Sequence, residues 1–196
     1  LATLQSAGHL QKMLQRLDRT FPMLRQLSPG LYPLVPLQQA ISRCIGPQGE
    51  VLDSASPRLA ALRGEIHALQ GRLNERMQSL LGRYRTHLQE AIISQRGGRW
   101  VIPLQANFKG RIRGIIHDQS ASGATLFVEP MAVVEKNNEL RRLTVAEKQE
   151  IQRILAALTE GVAQHLESIE TTLNTLGELD FILARARYSQ FLNAWA

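Results

Sequence analysis

The sequence predicts a mainly α-helical protein that carries a small antiparallel β-sheet. Three observations predict this class: a long apolar stripe at helical spacing, a change to strand-like alternation, and a return of the helical spacing. Aromatic residues make up only 5% of the 196 residues, which favours long helices over a β-sandwich. We expect a helical core, two long antiparallel helices and a small sheet at their tip.

The N-terminal part of the chain is predicted to belong to the helical core. Leucines recur at helical spacing in residues 4–19, which predicts a short amphipathic helix. Residues 21–36 contain four prolines and are predicted to form an ordered loop or broken helical turns. Residues 37–45 are predicted to be another short helix. We assign residues 1–56 to this first part of the core.

The first long helix is predicted to begin at Ser56-Pro57, because serine caps helices and proline fits the first helical position. The following apolar residues are separated mostly by three or four positions, as in a coiled coil. They are Leu59, Leu62, Ile66, Leu69, Leu73, Met77, Leu80, Tyr84 and Leu88. We expect the helix to reach about Ser94 and the first arm to occupy residues 57–95. A helix so long needs a packing partner.

The spacing changes after the first arm. Apolar side chains alternate in residues 100–106, which predicts a strand, and Pro103 within it implies an edge position or a bulge. Two further strands are predicted over residues 111–117 and 124–128. Residues 96–130 are therefore expected to form a small antiparallel sheet of three or four strands.

The helical spacing then returns in a second stripe of similar length. Its members are Ile151, Leu155, Leu158, Val162, Leu166, Ile169, Leu173 and Leu176. We predict a second arm over residues 131–176 that breaks at Gly177 and packs antiparallel to the first. Residues 177–196 are expected to return to the core, with residues 181–195 against the N-terminal helices.

Several classes of protein are disfavoured. Cys44 is the single cysteine, so the chain has neither an internal disulfide framework nor a cysteine-based zinc site, and we expect a reducing compartment. The sequence contains no long uninterrupted apolar stretch that would predict a membrane helix, and its N-terminus lacks a signal-peptide pattern. The chain begins at Leu1 without an initiator methionine, so we expect a piece of a longer protein. We expect that protein to be cytoplasmic.

The positive charge is concentrated in one part of the chain. The net charge is +6, and residues 83–113 contain seven basic residues against Glu90 alone, which accounts for the whole excess. A basic, glycine-containing tip is suited to phosphate contacts. The predicted contacts are Lys109, Arg111 and Arg113, followed by Arg96 and Arg99. The alternative is a solvated arginine-rich surface that binds nothing.

A histidine, an aspartate and a serine lie close together in residues 117–120. Sequence neighbours on a strand and turn diverge, whereas a catalytic triad must be assembled in space, so we predict no catalytic residue. The histidine spacing also predicts no metal site. We predict instead a structural motif whose polar side chains bond turn amides and whose glycine takes a positive φ. The motif comprises His117, Asp118, Ser120, Ser122, Gly123, Glu129 and Pro130.

Two aromatic residues near the basic segment are able to stack on bases. Trp100 shares a face with apolar strand residues and is predicted to anchor the sheet, whereas Phe108 is the better candidate for a surface contact. Asn137, Asn138 and Glu139 are predicted to bridge the second arm to the sheet or the partner helix.

GIIHDQSASGATLFVEP, residues 114–130, closely resembles the signature of the second bacterial MutS family, MutS-two, whose members carry a C-terminal Smr nuclease domain. The resemblance continues in NNELRRLTVAEKQEIQRIL, residues 137–155, and in GEVLDSASPRLAALR, residues 49–63. It spans most of the chain from about Leu37 onward. The resemblance implies that the chain is the core, lever and clamp portion of a larger ATPase, with the arms as levers and the sheet as clamp.

The resemblance also implies which activities belong to other parts of the parent protein. The chain has no GxxxxGK[ST] phosphate-binding loop and no Smr domain, so ATP and Mg²⁺ are expected to bind elsewhere in the parent, which is expected to be an ATPase and nuclease. The fragment is expected to bind no cofactor and to catalyse nothing. The parent is expected to be a homodimer, and the fragment a monomer or weak dimer.

The implied function is DNA binding without sequence specificity, on branched or duplex DNA, in a nucleoid-associated protein that limits recombination. Contact at the tip would be coupled to the distant ATPase. Two alternatives remain open: a module that contacts the ribosome in the rescue of collided ribosomes, and a purely structural lever.

Overall fold

The computed structural model describes residues 1–17 and 21–194. These residues form six α-helices and four β-strands, in agreement with the predicted class of a mainly α protein with a small antiparallel sheet. The chain divides into two compact units. The first unit comprises Leu1–Leu52 and Ile154–Ala196, and the second comprises Asp53–Arg153. None of the described helices is long and apolar enough to cross a membrane.

The first unit is helical. Its elements are α1 (Ala2–Gln15), α2 (Pro22–Gln26), α3 (Val35–Cys44) and α6 (Leu166–Phe191). The predicted short helices correspond to α1 and α3, and the proline-rich stretch contains the short α2 and a single 3₁₀ turn. α1 ends at Gln15, earlier than the helix predicted over residues 4–19, and residues 18 and 19 of that prediction lie outside the described residues.

The core of the first unit joins α1 and α6 through buried Ala7, Leu14, Leu31 and Leu179. The Thr172 hydroxyl of α6 accepts a hydrogen bond from the Tyr32 amide, at 2.9 Å. The contact between α6 and the N-terminal segments therefore lies upstream of the predicted residues 181–195. Trp195 lies outside the described residues. Beyond this contact, α6 exposes large apolar side chains. These side chains are Phe181, Leu183, Tyr188 and Phe191.

The second unit contains α4 (Pro57–Arg83) and most of α5 (Met131–Ala163). The Ser56 hydroxyl caps α4 by accepting a hydrogen bond from the Leu59 amide at 2.9 Å, and it donates to Glu150 of α5 at 2.8 Å. Arg63 Nε also donates to Glu147 of α5, at 2.9 Å. Residues near the start of α4 thus meet residues far along α5, so the two helices run antiparallel as predicted.

The first arm ends eleven residues earlier than predicted, since α4 stops at Arg83 and not near Ser94. The reason is tertiary: the chain leaves the helix so that buried Leu88 can bridge to Leu104 of the sheet. The Gln89 amide then donates to the Pro103 carbonyl at 2.9 Å. Leu88 continues the apolar spacing of α4, which is why the pattern alone predicted a longer helix.

The second apolar stripe lies on two helices, and the break between them is at a different position from the predicted one. It is interrupted after Ala163, and α6 then continues through Gly177 without a break. At the interruption the His165 ring donates to the Gly161 carbonyl at 2.8 Å, which gives the end of α5 a side-chain partner. Gly177 is exposed, and glycine in a helix interior costs only about 1 kcal/mol relative to alanine, which is too little to interrupt a helix as long as α6.

The sheet has four antiparallel strands in the order β1-β2-β4-β3. The strands are β1 (Ser94–Arg96), β2 (Arg99–Gln105), β3 (Gly114–Gln119) and β4 (Thr125–Pro130). β3 is an edge strand with a bulge between Ile116 and Asp118. It begins three residues later than predicted because residues 111–113 connect a turn to the start of α5.

Pro103 lies in β2, which has neighbours on both sides, so the predicted edge position is wrong for the strand as a whole. β1 pairs only with residues 99–101, however, and β4 pairs with residues 102–105. The Pro103 carbonyl faces Gln89, beyond the end of β1. Because the carbonyl and nitrogen of one strand residue face the same side, the missing N–H removes no bond to β4.

The core of the second unit lies where the sheet packs against α4 and α5. Its main buried side chains are Leu69, Leu73, Met77, Leu80, Leu81, Ile102, Leu104, Leu126, Val128, Val133, Leu140 and Leu143. Trp100 packs against this core, as predicted. Phe108 also packs against it and is half-buried, so its role as a surface contact stays a prediction. A 3₁₀ turn folds the Phe108 ring back, edge-on to His87 with 4.6 Å between ring centroids.

Candidate nucleic-acid interface

The three leading basic candidates lie on one short segment between β2 and β3. This segment, residues 109–113, is called the basic segment below. Lys109, Arg111 and Arg113 are exposed, and within the described parts of the chain they have no ion-pair partner. Between the two arginines, Ile112 is only 5% exposed and packs into the core. The segment therefore presents three cations to solvent from one anchored turn.

Local hydrogen bonds fix the course of the basic segment. The Lys109 amide donates to the Ala106 carbonyl and the Arg111 amide donates to the Phe108 carbonyl, at 3.1 and 3.0 Å. Gly110 between them has a φ of +87°, a conformation that side chains with a Cβ rarely adopt. The Arg113 carbonyl accepts from the Met131 amide at 2.9 Å, which ties the segment to the start of α5.

The two secondary basic candidates already form ion pairs with acidic side chains of the protein. Arg96 Nε pairs with Asp118 at 3.0 Å, and its guanidinium lies 3.7 Å from the centroid of the Phe127 ring. Arg99 Nη1 contacts both carboxylate oxygens of Glu129, at 2.9 and 3.1 Å. The structure therefore separates the five predicted cations into three free ones on the basic segment and two that already have acidic partners.

Arg99 belongs to a polar cluster around Glu129, whose side chain is fully buried. His117 Nε2 lies 2.5 Å from Glu129 Oε2, and Asn137 Nδ2 donates to Glu129 Oε1 at 2.7 Å. Asn138 accepts from Arg99 Nη2 at 2.7 Å. A buried carboxylate is costly unless it is paired and hydrogen-bonded, and these contacts satisfy Glu129. Glu129, Asn137 and Asn138 thus join β4, β2 and α5.

The remaining members of the predicted structural motif form the turn between β3 and β4. The Asp118 carboxylate accepts from the Gln119 amide at 2.8 Å, and the Ser120 hydroxyl accepts from the Thr125 amide at 3.0 Å. The Ser122 hydroxyl lies 3.3 Å from that of Ser120, and Gly123 has a φ of +74°. Pro130 is the last residue of β4, directly before α5.

The structure does not bring the triad-like residues into a catalytic arrangement. His117 contacts Glu129, whereas the hydroxyl of Ser120 contacts Ser122 and the Thr125 amide. A nucleophile needs its base within hydrogen-bonding distance. Among the described residues, no group of three or more histidine, cysteine, aspartate or glutamate side chains is arranged to hold a metal ion.

A second buried acidic group, Glu150, lies on α5. The Glu150 side chain is 1% exposed and accepts hydrogen bonds from Arg153, at 2.6 and 3.0 Å, and from Ser56. Arg153 first and Ser56 second lower the pKa of Glu150 to about 2. Glu150 therefore stays ionised near neutral pH, and its role is to join the start of α4 to α5.

Two arginines that the sequence analysis did not select lie beside the basic segment. Arg76 and Arg83 of α4 line one groove together with Arg111 and Arg113. Arg83 belongs to the basic stretch of the sequence, and Arg76 lies seven residues before it. That spacing places both on one helix face and was the available signal.

These features define a helical protein with a small antiparallel sheet and an exposed basic segment, and relatives identify its family. The chain is 51% identical over 99% of its length to Endonuclease MutS2 of Pelotomaculum thermopropionicum, of which the match covers 25%. It is 41% identical over 94% of its length to Endonuclease MutS2 of Halalkalibacterium halodurans, of which the match covers 24%. For Endonuclease MutS2 of Clostridium novyi the identity is 43%, over 91% of this chain and 23% of that protein.

The chain therefore belongs to the MutS2 family, the same MutS-two family that residues 114–130 resemble. It spans about a quarter of the length of the curated relatives that it matches. No protein-family model matches the chain.

Proposed function

We propose that this chain is a nucleic-acid-contacting, non-catalytic region of a MutS2-family protein, and that the basic segment makes the contact. The observation that carries the proposal is the exposure of Lys109, Arg111 and Arg113 around the buried anchor Ile112. Each has no acidic partner within the described residues, in contrast to Arg96 and Arg99. Free cations on an anchored turn are available to phosphates.

Contacts of this kind give affinity without reading the base sequence. The proposed ligand is therefore DNA of any sequence, branched or duplex, as expected of a nucleoid-associated protein that limits recombination. The chain would supply the contact and, as core, lever and clamp, transmit it to an ATPase elsewhere in a homodimeric parent. ATP, Mg²⁺ and nuclease chemistry would belong to that parent.

The test compares two triple variants of the 196-residue chain. K109A/R111A/R113A removes one lysine and two arginines from the basic segment. K12A/R16A/R25A removes the same residue types, all exposed, from the first unit. Binding to a four-way DNA junction and to a duplex is measured at low salt. We expect a loss of tenfold or more for the first variant only.

Other outcomes identify the alternatives. If the first variant binds both DNAs like the wild type while remaining folded, the assignment of the basic segment is wrong. If the wild type binds neither DNA, the purely structural lever is the better account. If the parent protein co-sediments with collided ribosomes and the substitutions abolish this without affecting junction binding, the ribosome is the partner.

A further inference from the structure

The four arginines beside the start of α5 surround a single groove in the second unit. The groove has a volume of about 390 Å³. Arg76 and Arg83 line it from α4, and Arg111 and Arg113 line it from the basic segment. The other lining residues are apolar or aromatic, namely Leu80, Tyr84, Ile112, Pro130, Met131 and Ala132. None of the described lining residues is acidic.

The positions of the four guanidinium groups are set by the fold. Arg76 and Arg83 are two helical turns apart on α4, so their Cα atoms are separated by about 10 Å along the helix. Leu80 and Ile112 lie between the arginines and are each 5% exposed, which anchors both walls of the groove in the core. The arginines thus converge from two separately anchored elements.

The groove carries charge that the protein itself does not neutralise. All four arginines are exposed, and none has an ion pair within the described parts of the chain. Four like charges around one concavity repel one another, and an anion in the groove removes this repulsion. Met131 and Ala132 place the positive end of the 33-residue helix α5 at the same groove.

The arginine-rich lining of the groove favours a phosphate ligand. Arginine forks bind phosphate oxygens bidentately, and arginine is preferred where planar recognition of phosphate is required. The four groups are spread over two turns of α4, which matches an elongated polyanion better than one compact anion. The half-buried Tyr84 adds an aromatic surface to the groove.

We propose that this groove is a phosphate-binding site that holds successive phosphates of one nucleic-acid strand. The inference rests on the proposed function and extends it, because it adds Arg76 and Arg83 of α4 to the contact. It assigns Arg111 and Arg113 to the groove and leaves Lys109 outside it.

The test uses the variant R76A/R83A, which alters only the α4 wall. The matched control is R142A/R187A, which removes two exposed helical arginines outside the groove. Binding of a single-stranded oligonucleotide is measured as a function of salt. We expect R76A/R83A to lose tenfold or more in affinity at low salt and about 1.4 from the salt slope, roughly 0.7 for each phosphate contact.

A second measurement locates the ligand by residue. Phenylglyoxal modifies free arginines, and mass spectrometry reports which ones are protected. We expect the oligonucleotide to protect Arg76, Arg83, Arg111 and Arg113 but not Arg142. Tripolyphosphate at the same phosphate concentration should protect them less, and protection by tripolyphosphate alone would overturn the assignment to a nucleic-acid strand.

The outcomes separate the two proposals. Wild-type binding by folded R76A/R83A, together with loss of binding by K109A/R111A/R113A, overturns the groove and leaves the proposed function standing. Wild-type binding by both variants overturns both proposals. Loss in both, with the control R142A/R187A unchanged, supports the groove as the site.

Discussion

The Asn137 side chain pairs with the backbone of Trp100 in the manner of a neighbouring strand. Its Oδ1 accepts from the Trp100 amide and its Nδ2 donates to the Trp100 carbonyl, both at 3.1 Å. Nδ2 donates its second hydrogen bond to Glu129 Oε1. Asn137 is 1% exposed, so one residue of α5 positions β2 and a buried carboxylate of β4 together.

Replacing Asn137 with alanine should destabilise the second unit. The substitution leaves the Trp100 backbone without this partner and removes one donor from Glu129, and each unsatisfied buried group costs about 1–3 kcal/mol. We expect the free energy of unfolding to fall by about 2–4 kcal/mol in urea denaturation. N138A is the comparison, because Asn138 is exposed and loses a single hydrogen bond from Arg99, which should cost about 1 kcal/mol or less. Equal effects of N137A and N138A would contradict this account.

Arg99 and Arg96 should differ when each is replaced with alanine. R99A removes the cation from a fully buried carboxylate, which costs about 3–5 kcal/mol. R96A breaks a pair whose side chains are 38% and 49% exposed, which costs about 0–1 kcal/mol. Thermal unfolding measures both. A larger loss in R96A than in R99A would refute the structural role of Arg99.

Glu150 should contribute to stability in a pH-dependent way. Its pKa is lowered from 4.5 to about 2, so its contribution is complete above pH 4.5 and is lost as the pH falls towards 2. The variant E150Q cannot titrate. We expect the wild type to be more stable than E150Q at pH 6 and the difference to shrink between pH 4.5 and 2. A difference that is constant with pH would show that the carboxylate charge is unimportant.

Replacing Ser56, the N-cap of α4, should destabilise the protein more than replacing Ser79 within the helix. S56A removes the cap of α4, which costs about 1 kcal/mol, and also the hydrogen bond to Glu150. The control S79A replaces an exposed serine inside the same helix and should be neutral or slightly stabilising. Urea denaturation of the two variants provides the comparison, and similar stabilities would contradict the role of the cap.

Local signals were sufficient to predict where two of the elements begin. Ser56-Pro57 marks the start of α4, and alternation marks β2, because capping and side-chain facing depend on adjacent residues. The end of α4 was not predictable in this way. It depends on the bridge between Leu88 and Leu104, whose partners are far apart in sequence.

The candidate site shows the same limit. Charge density predicted the basic segment, but the pairing of Arg99 with Glu129 and Asn138 joins residues 30 and 39 positions apart. Similarly, Arg76 meets Arg111 only because the basic segment packs beside α4. The spacing of residues within a helix does not predict which loop will pack beside that helix.

The most direct test of the central claim is the salt dependence of DNA binding by the wild type and by K109A/R111A/R113A. If the basic segment contacts phosphates, each lost contact makes the negative slope of log K against log salt shallower by about 0.9 on duplex DNA. We therefore predict a slope that is shallower by roughly 2 to 3 in the variant, with the slope of K12A/R16A/R25A unchanged. An unchanged slope in the folded K109A/R111A/R113A variant would contradict the claim that these residues contact nucleic acid.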